Sequence, residues 1–466
     1  MHQIKLILRP FFLFCLAVLA GCSNVHPLMP TPNIYAGPGK YPADEIPESL
    51  RNNQAELFFV TDRTRETNQK GETFYGAGRS DSAAYGSVVV EFGKAEPWEG
   101  LVEASQTAKR KQELLLRISS LHERARFPKT PYLFSVVDGT IVEDEETKAA
   151  YGRTATAFQR DLVARLASLQ QKEVTVFVHG FNNTFQSSAL VLAEIWHFTG
   201  RRGVPVLYSW PAASGGLLGY FVDRESGEFT IFHLKEFLRL LSDTPEVERI
   251  HIIAHSRGTD VTTTALRELV IESRAAGGDP LEELRIANLI LAAPDLDFDI
   301  VRQRLIAERF GPAMGQITIY TNQQDSALDL SESLMSGTRF GRLDSSDLGK
   351  TEGQIFSQVT NVNVINVEGE ISFLGHSYFR ENPGVSSDIA ILIRDGSKPG
   401  DPKRPVCDHG ITHICLEVDD IDAEYERLKA AGMSFNCPPQ DLGASRVTYG
   451  RDPDGNVLEL WQKVDQ

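Results

Sequence analysis

The chain has 466 residues, of which 41% are hydrophobic and 24% charged. Those proportions exclude wholesale disorder and collagen-like repeats, and the length suits about three average domains or one large α/β domain with an appendage. The 47 Lys and Arg against 63 Asp and Glu give a formal charge of −16 with no basic stripe to offset it, so nucleic acid is not an expected partner.

At the start, Lys5 and Arg9 precede an apolar run from Phe11 to Ala20. That run is about half of the roughly 20 residues a spanning helix needs, so residues 1–21 are expected to be a signal peptide. Leu19-Ala20-Gly21-Cys22 resembles a bacterial lipobox. The resemblance implies lipidation of Cys22 and a periplasm-facing place in the cell envelope, at the outer membrane. Residues 22–54 are rich in Pro and poor in periodicity, and are expected to be an extended tether. With Cys15 removed and Cys22 acylated, the remaining thiols are Cys407, Cys415 and Cys437, so no disulfide is expected in the large central part.

From residue 55 to 390 the pattern is that of a single α/β body. AELFFVTDR and YGSVVVEF read as its first strands, and residues 100–126 as a charged, solvated helix. A second helix is expected over Thr154–Gln171. Beyond it, strands at Val174–Val178, Val204–Trp210, Arg249–Ala254, Ile286–Ala292, Gln316–Thr321 and Asn361–Val367 surround helices at Ser187–Thr199, Phe229–Leu241 and Thr259–Ser273. Near-continuous apolar strands alternating with helices predict a mostly parallel sheet covered on both faces. Residues 391–406, polar and rich in Pro and Gly, read as a linker to a separate module over 407–466.

The strand RIHIIA runs into Ala254-His255-Ser256-Arg257-Gly258 just before a helix. This is a G-x-S-x-G elbow with Ala in the first Gly place, a spacing that lets a Ser occupy a tight strand-to-helix turn. In an α/β-hydrolase the acid and then the His follow the nucleophile. His376, in Gly375-His376-Ser377-Tyr378, is the one His before the linker that follows the plausible acids. Asp325 is the favoured acid and Asp295, in AAPDLDFD, its alternative. The backbone N–H groups of Phe181 and Arg257 are the expected oxyanion-hole donors. His179 is expected to be a packed residue that shapes the loop beside Phe181.

In combination VTDR, YGSVVV, VFVHGFNN, YSWPA, Tyr220 with Asp223-Arg224-Glu225, AHSRG, AAPDLD and GHSYF resemble an uncharacterised bacterial family of α/β-hydrolase proteins, often lipid-anchored. The resemblance covers roughly residues 55–385. It implies the Ser256, Asp325, His376 triad and no cofactor, and the elbow chemistry itself leads to the expectation of a small-molecule or lipid-like acyl substrate. Residues 212–230 lie where pocket-covering loops are expected.

The tail resembles one half of a glyoxalase, or vicinal-oxygen-chelate, module of β-α-β-β-β form, carried by GITHICLEVDDIDAEYERLKAAGMSF and VTYGRDPDGNVLELWQ. That resemblance implies His413 and Glu459 as ligands of a divalent metal (Zn, Ni or Fe), with Asp454-Gly455 as a hairpin turn. A complete site draws on two such halves. Either two chains pair their tails in a homodimer, or the tail is a fusion remnant in which His413 and Glu459 make ordinary strand contacts and Cys415 is a small core residue. The sequence thus points first to a lipid-anchored envelope serine hydrolase. A metal-dependent lactoylglutathione lyase or dioxygenase activity of the tail, and a non-catalytic binding scaffold, are the alternatives.

Overall fold

A computed structural model describes residues 26–69, 71–335, 337–343, 349, 351, 354–355, 358–367, 375–399, 414–435, 438–441, 445–451 and 457–463. The chain divides between Asp395 and Gly396 into two compact units.

In the first unit the strands are β1 (His26–Pro27), β2 (Gln54–Thr67), β3 (Thr73–Phe92), β4 (Leu115–Arg126), β5 (Phe134–Val137), β6 (Thr140–Glu143), β7 (Glu173–Val178), β8 (Val204–Ser209), β9 (Arg249–His255), β10 (Ile286–Ala292), β11 (Gln316–Thr321) and β12 (Val362–Asn366). The helices are α1 (Trp98–Gln106), α2 (Glu145–Ala167), α3 (Phe185–Phe198), α4 (Gly216–Ser242), α5 (Gly258–Ala275), α6 (Pro280–Leu284), α7 (Phe298–Val301), α8 (Ser326–Met335), α9 (Tyr378–Glu381) and α10 (Pro383–Arg394). One large sheet has the order β1-β4-β3-β2-β8-β7-β9-β10-β11-β12. From β2 to β12 every neighbouring pair is parallel, whereas β3, β4 and β1 extend one edge antiparallel. All residues of β7 and β8 are buried, as strands covered on both faces must be. Because these strands run parallel, the loops after β7, β9, β10, β11 and β12 all emerge at one rim of the sheet, which is where α/β folds assemble sites.

Several expectations need correcting. Residues 26–50 are not a free tether. Leu28, Met29, Tyr35, Tyr41 and Ile46 are buried, the Met29 N–H donates to Glu194 Oε2 at 2.9 Å, and Arg110 donates to the carbonyls of Leu28 and Met29 at 2.9 Å each. Prolines fix an extended or turn backbone, but the apolar residues between them decide whether it floats or packs. The expected helix over 100–126 stops at Gln106, and its second half is strand β4, whose Leu116, Arg117, Ile118 and Ser119 alternate in burial as one-sided strands do. Helix α2 begins nine residues before the expected Thr154, at Glu145, where Asp144 caps it by accepting the Thr147 N–H at 2.8 Å. The stretch 212–230 is mostly the start of α4 rather than a loop. Helix α10 runs to Arg394, so the expected linker begins later than residue 391. The hairpin β5–β6 went unexpected.

The second unit contains β13 (Ile414–Glu417), α11 (Ile421–Ala430), β14 (Ser434–Phe435), β15 (Gln440–Asp441), β16 (Ser445–Arg451) and β17 (Val457–Lys463). Its sheet order is β13-β17-β16-β14, with β15 also paired to β16. β13 lies parallel to β17 and β16 antiparallel to it, and Tyr425 of α11 packs on Phe435 with ring centroids 4.6 Å apart. This is the expected β-α-β-β-β half-module with one further short strand. Cys22, Cys407, His413, Cys437 and the Asp454-Gly455 turn lie outside the described residues. Among the described residues, no helix is long and apolar enough to cross a membrane.

Candidate active site

Ser256 follows β9 directly and sits at φ +52°, in the left-handed region. A non-glycine residue there costs on the order of 1–3 kcal/mol, and the surroundings must hold it. They do so with backbone bonds. The Ser256 N–H donates to Ala292 O at 2.9 Å, and its carbonyl accepts from the N–H groups of Thr259 at 3.0 Å and Asp295 at 3.3 Å. The elbow also needs small neighbours. A Cβ on Gly258 would lie 2.3 Å from His179 O, and one on Gly180 would lie 2.7 Å from the Ser256 Cβ. Ala254, in the first Gly place, is wholly buried in the strand without a positive φ.

Asp325, after β11, and His376, beyond β12, meet on the same rim. His376 Nδ1 lies 2.7 Å from Asp325 Oδ2. The other carboxylate oxygen accepts the N–H groups of Ala327 and Leu328, both at 3.0 Å, so the acid is fixed by the first turn of α8. Burial works against protonation of His376. The charge and hydrogen bond of Asp325 outweigh it, with help from Asp295 and Glu381, and hold the imidazole above its ordinary range. His255, one residue before Ser256, donates from Nε2 to the His376 carbonyl at 3.0 Å, with ring centroids 4.8 Å apart. Burial, followed by the neighbouring His376, lowers His255 to about 3, so it serves as a neutral spacer.

Asp295 is occupied elsewhere. Its carboxylate accepts the hydroxyls of Tyr220 and Ser331, both at 2.7 Å. It therefore forms the wall behind the elbow, and the His376 ring is bonded to Asp325. Tyr220 in turn sets its ring edge-on to Phe181, with centroids 5.4 Å apart. Phe181 follows β7 and Arg257 precedes α5, so the two expected oxyanion donors flank Ser256 from adjacent parallel strands. The Arg257 side chain pairs with Asp260 at 2.6 Å and donates to the Asp295 carbonyl at 3.4 Å.

Two groups beneath these loops had not been singled out as site residues. Asp223 of α4 is fully buried and accepts three backbone N–H groups, those of Asn182 at 2.9 Å and of Ala213 and Ser214 at 3.2 Å. Arg63, also fully buried, donates to Asn183 O at 2.6 Å, Ala212 O at 2.9 Å, Gly76 O at 3.0 Å and Ser209 Oγ at 2.8 Å, and contacts His179 Nε2 at 3.2 Å. Burial lowers Arg63 to about 9, against the pull of Asp62 and Asp223. His179 stacks on Trp210 at 5.2 Å, and burial, then Arg63, keeps it neutral, so it shapes the loop as expected. The signal was present in VTDR and in Asp223-Arg224-Glu225, but only the folded contacts show what those residues hold.

In the tail, Glu459 accepts the Tyr449 hydroxyl at 2.8 Å and stands opposite Cys415 in the β13–β17 pairing. Cys415 is exposed, not the core residue expected. Among the described residues, no cluster of three or more His, Cys, Asp or Glu could hold a metal ion. His413 lies outside the described residues, and Glu459, already accepting the Tyr449 hydroxyl, is by itself a poor fit to a resident metal.

Comparison with known proteins supports both halves of this architecture. Residues 360–460 match a model of the Glyoxalase/Bleomycin resistance protein/Dioxygenase superfamily. The first part of that match covers β12 and α10, which belong to the large unit. The uncharacterized protein YurT of Bacillus subtilis is 25% identical over 84 residues, 18% of this chain and 66% of that protein. A probable lactoylglutathione lyase of Vibrio parahaemolyticus is 38% identical over 52 residues, 11% of this chain and 38% of that protein. The chain thus spans less than two thirds of the length of either relative. A solved lipase-esterase related protein from Clostridium acetobutylicum aligns with 47% of this chain and 94% of its own, at 9% identity and a TM-score of 0.26. Residues 154–395 match the family model described as Alpha/beta hydrolase of unknown function (DUF900). That match takes in the elbow, Asp325, His376 and just over half of the sequence, and the chain belongs to this α/β-hydrolase family.

Proposed function

We propose that the protein is a serine hydrolase that cleaves an acyl ester or a related acyl bond. The observation that carries this reading is the Asp325–His376 hydrogen bond of 2.7 Å on the sheet rim where Ser256 is held in a left-handed turn. In this mechanism Ser256 Oγ attacks the substrate carbonyl while His376 Nε2 takes its proton. Asp325 keeps the Nδ1–H oriented and balances the imidazolium. The Phe181 and Arg257 N–H groups stabilise the tetrahedral oxyanion, aided by the N-terminus of α5. His376 then returns the proton to the leaving alcohol, and water releases the acyl group by the same steps in reverse order. The hydrolase needs no cofactor for this.

The lipobox supports anchoring at Cys22 and action at the envelope surface. No catalytic role is given to the tail, where pairing between two chains is the arrangement by which one half-module could complete a second. Labelling of the full-length protein by a fluorophosphonate tests the reading directly. Stoichiometric modification of Ser256 is expected. A folded protein that neither labels nor hydrolyses short p-nitrophenyl esters would refute it.

A further inference from the structure

The face of the sheet around β10 and β11 carries a cavity of about 130 Å³. Leu291, Ile317 and Ile319 line it from the strands, Leu305 and Ile306 from the segment after α7, and Phe340 from beside the catalytic loops. Protein interiors are close-packed, and voids much larger than a water are few. Walls this apolar offer water no hydrogen bonds, and a cavity of about 150 Å³ lined in this way stays dry yet accepts benzene.

Two further observations set this void apart from a packing defect. The segment Arg302–Ile306 is a π-helix, and both the Ala307 N–H to Arg302 O bond of 3.0 Å and the Phe310 N–H to Leu305 O bond of 2.9 Å span five residues. Such wide turns cost helix stability and cluster at functional sites. Three residues beyond the π-helix lies Arg309, the one polar side chain among the described residues that line the cavity. Arg309 is exposed and sits at φ +58°. Among the described residues no carboxylate pairs with its guanidinium, although Arg302 earlier in the same segment is paired with Asp299.

A dry hydrocarbon slot with a free guanidinium at its side is complementary to a fatty-acid-like anion. We propose that this cavity binds a straight-chain monocarboxylate of roughly six to eight carbons, the chain replacing the void and the carboxylate taking a forked bond from Arg309. The site is separate from Ser256 and does not depend on the hydrolase reading.

Titration calorimetry on the full-length protein tests this with four probes: hexanoate, octanoate, hexylamine and acetate. Saturable binding of hexanoate and octanoate at one site is expected, with hexylamine and acetate at least ten-fold weaker. Arg309→Gln, a change at an exposed side chain, should weaken hexanoate at least ten-fold. Leu305→Trp should abolish binding by filling the slot, with Ile319→Phe as a milder filling variant should the first fail to fold. Ser256→Ala should bind hexanoate as the parent does. No binding, equal binding of hexylamine, full affinity in Arg309→Gln, or loss of binding in Ser256→Ala would each overturn the assignment.

Discussion

Asp223→Asn is the most informative single substitution in the large unit. The Asp223 carboxylate accepts the N–H groups of Asn182, Ala213 and Ser214, and it lies beside the buried Arg63, whose charge it helps to balance. An amide keeps one acceptor oxygen and turns an NH₂ group toward the remaining donor. One hydrogen bond is lost and the others fall from charge-assisted to neutral, so the expected destabilisation is about 2–4 kcal/mol, at about 1.5–3 kcal/mol per bond to a charged group. The functional effect follows from position, because Asn182 at φ +54° directly follows Phe181. Releasing it lets the Phe181 N–H drift from the oxyanion, and loss of one such donor costs on the order of 10²–10³ in kcat. We expect kcat on p-nitrophenyl butyrate to fall about 10²-fold with KM within about three-fold, alongside a lowered urea midpoint. Circular dichroism at the assay temperature establishes that the variant is folded. A folded Asp223→Asn with kcat within two-fold of the parent would refute the positioning argument, whatever its stability.

Ser256→Ala should abolish fluorophosphonate labelling and esterase turnover while shifting stability by less than about 1 kcal/mol, since it removes one hydroxyl; residual turnover equal to the parent's would reject Ser256 as nucleophile. Asp325 holds His376 above its ordinary range against the opposing effect of burial, so the acid limb of kcat/KM should lie above pH 6.5, with activity lost as pH falls through it. Asp325→Asn should move that limb to lower pH and leave some activity, and an unmoved limb would detach Asp325 from the titration. By linkage, the stability contributed by protonated His376 is fully present below its unfolded value and is lost as pH rises through the raised folded one. A chain ending at Asp395, the boundary between the two units, should keep esterase activity within about three-fold; a larger loss would bring the tail into the reaction. Cys22→Ser should shift the protein from the membrane to the soluble fraction, and retention at high salt would exclude lipidation as the anchor.

The residues that lie close together in sequence were the ones best read from it. Ala254 to Gly258 encode their own turn, and the run of buried strands from Val174 to Thr321 needed nothing but local apolar patterning. Chain order favours Asp325 over Asp295, but the partners that occupy Asp295, Tyr220 and Ser331, lie 75 and 36 residues away from it and are not legible locally. Arg63 and Asp223 were hidden for the same reason, with Arg63 reaching Asn183 over a separation of 120 residues. The hairpin β5–β6 has a local signal of its own. Asp138 and Gly139 form its two-residue turn, both at positive φ, between strands that read FSVV and TIVE. In β4, frequent charge masked an alternation of two that a count of helical spacing alone does not detect.

The packed strap at residues 26–50 changes what anchoring at Cys22 would mean. A free tether of 33 residues could reach on the order of 110 Å, but packing begins at His26, four residues on, where the leash can be at most about 14 Å. His26 is paired to Leu116 at the sheet edge and lies 3.4 Å from Glu194, which also binds Arg380 of α9. A lipid at Cys22 would therefore moor one particular edge of the sheet against the bilayer. The catalytic rim would then keep a set height and bearing above the membrane, and the substrates it met would be those passing through that thin layer.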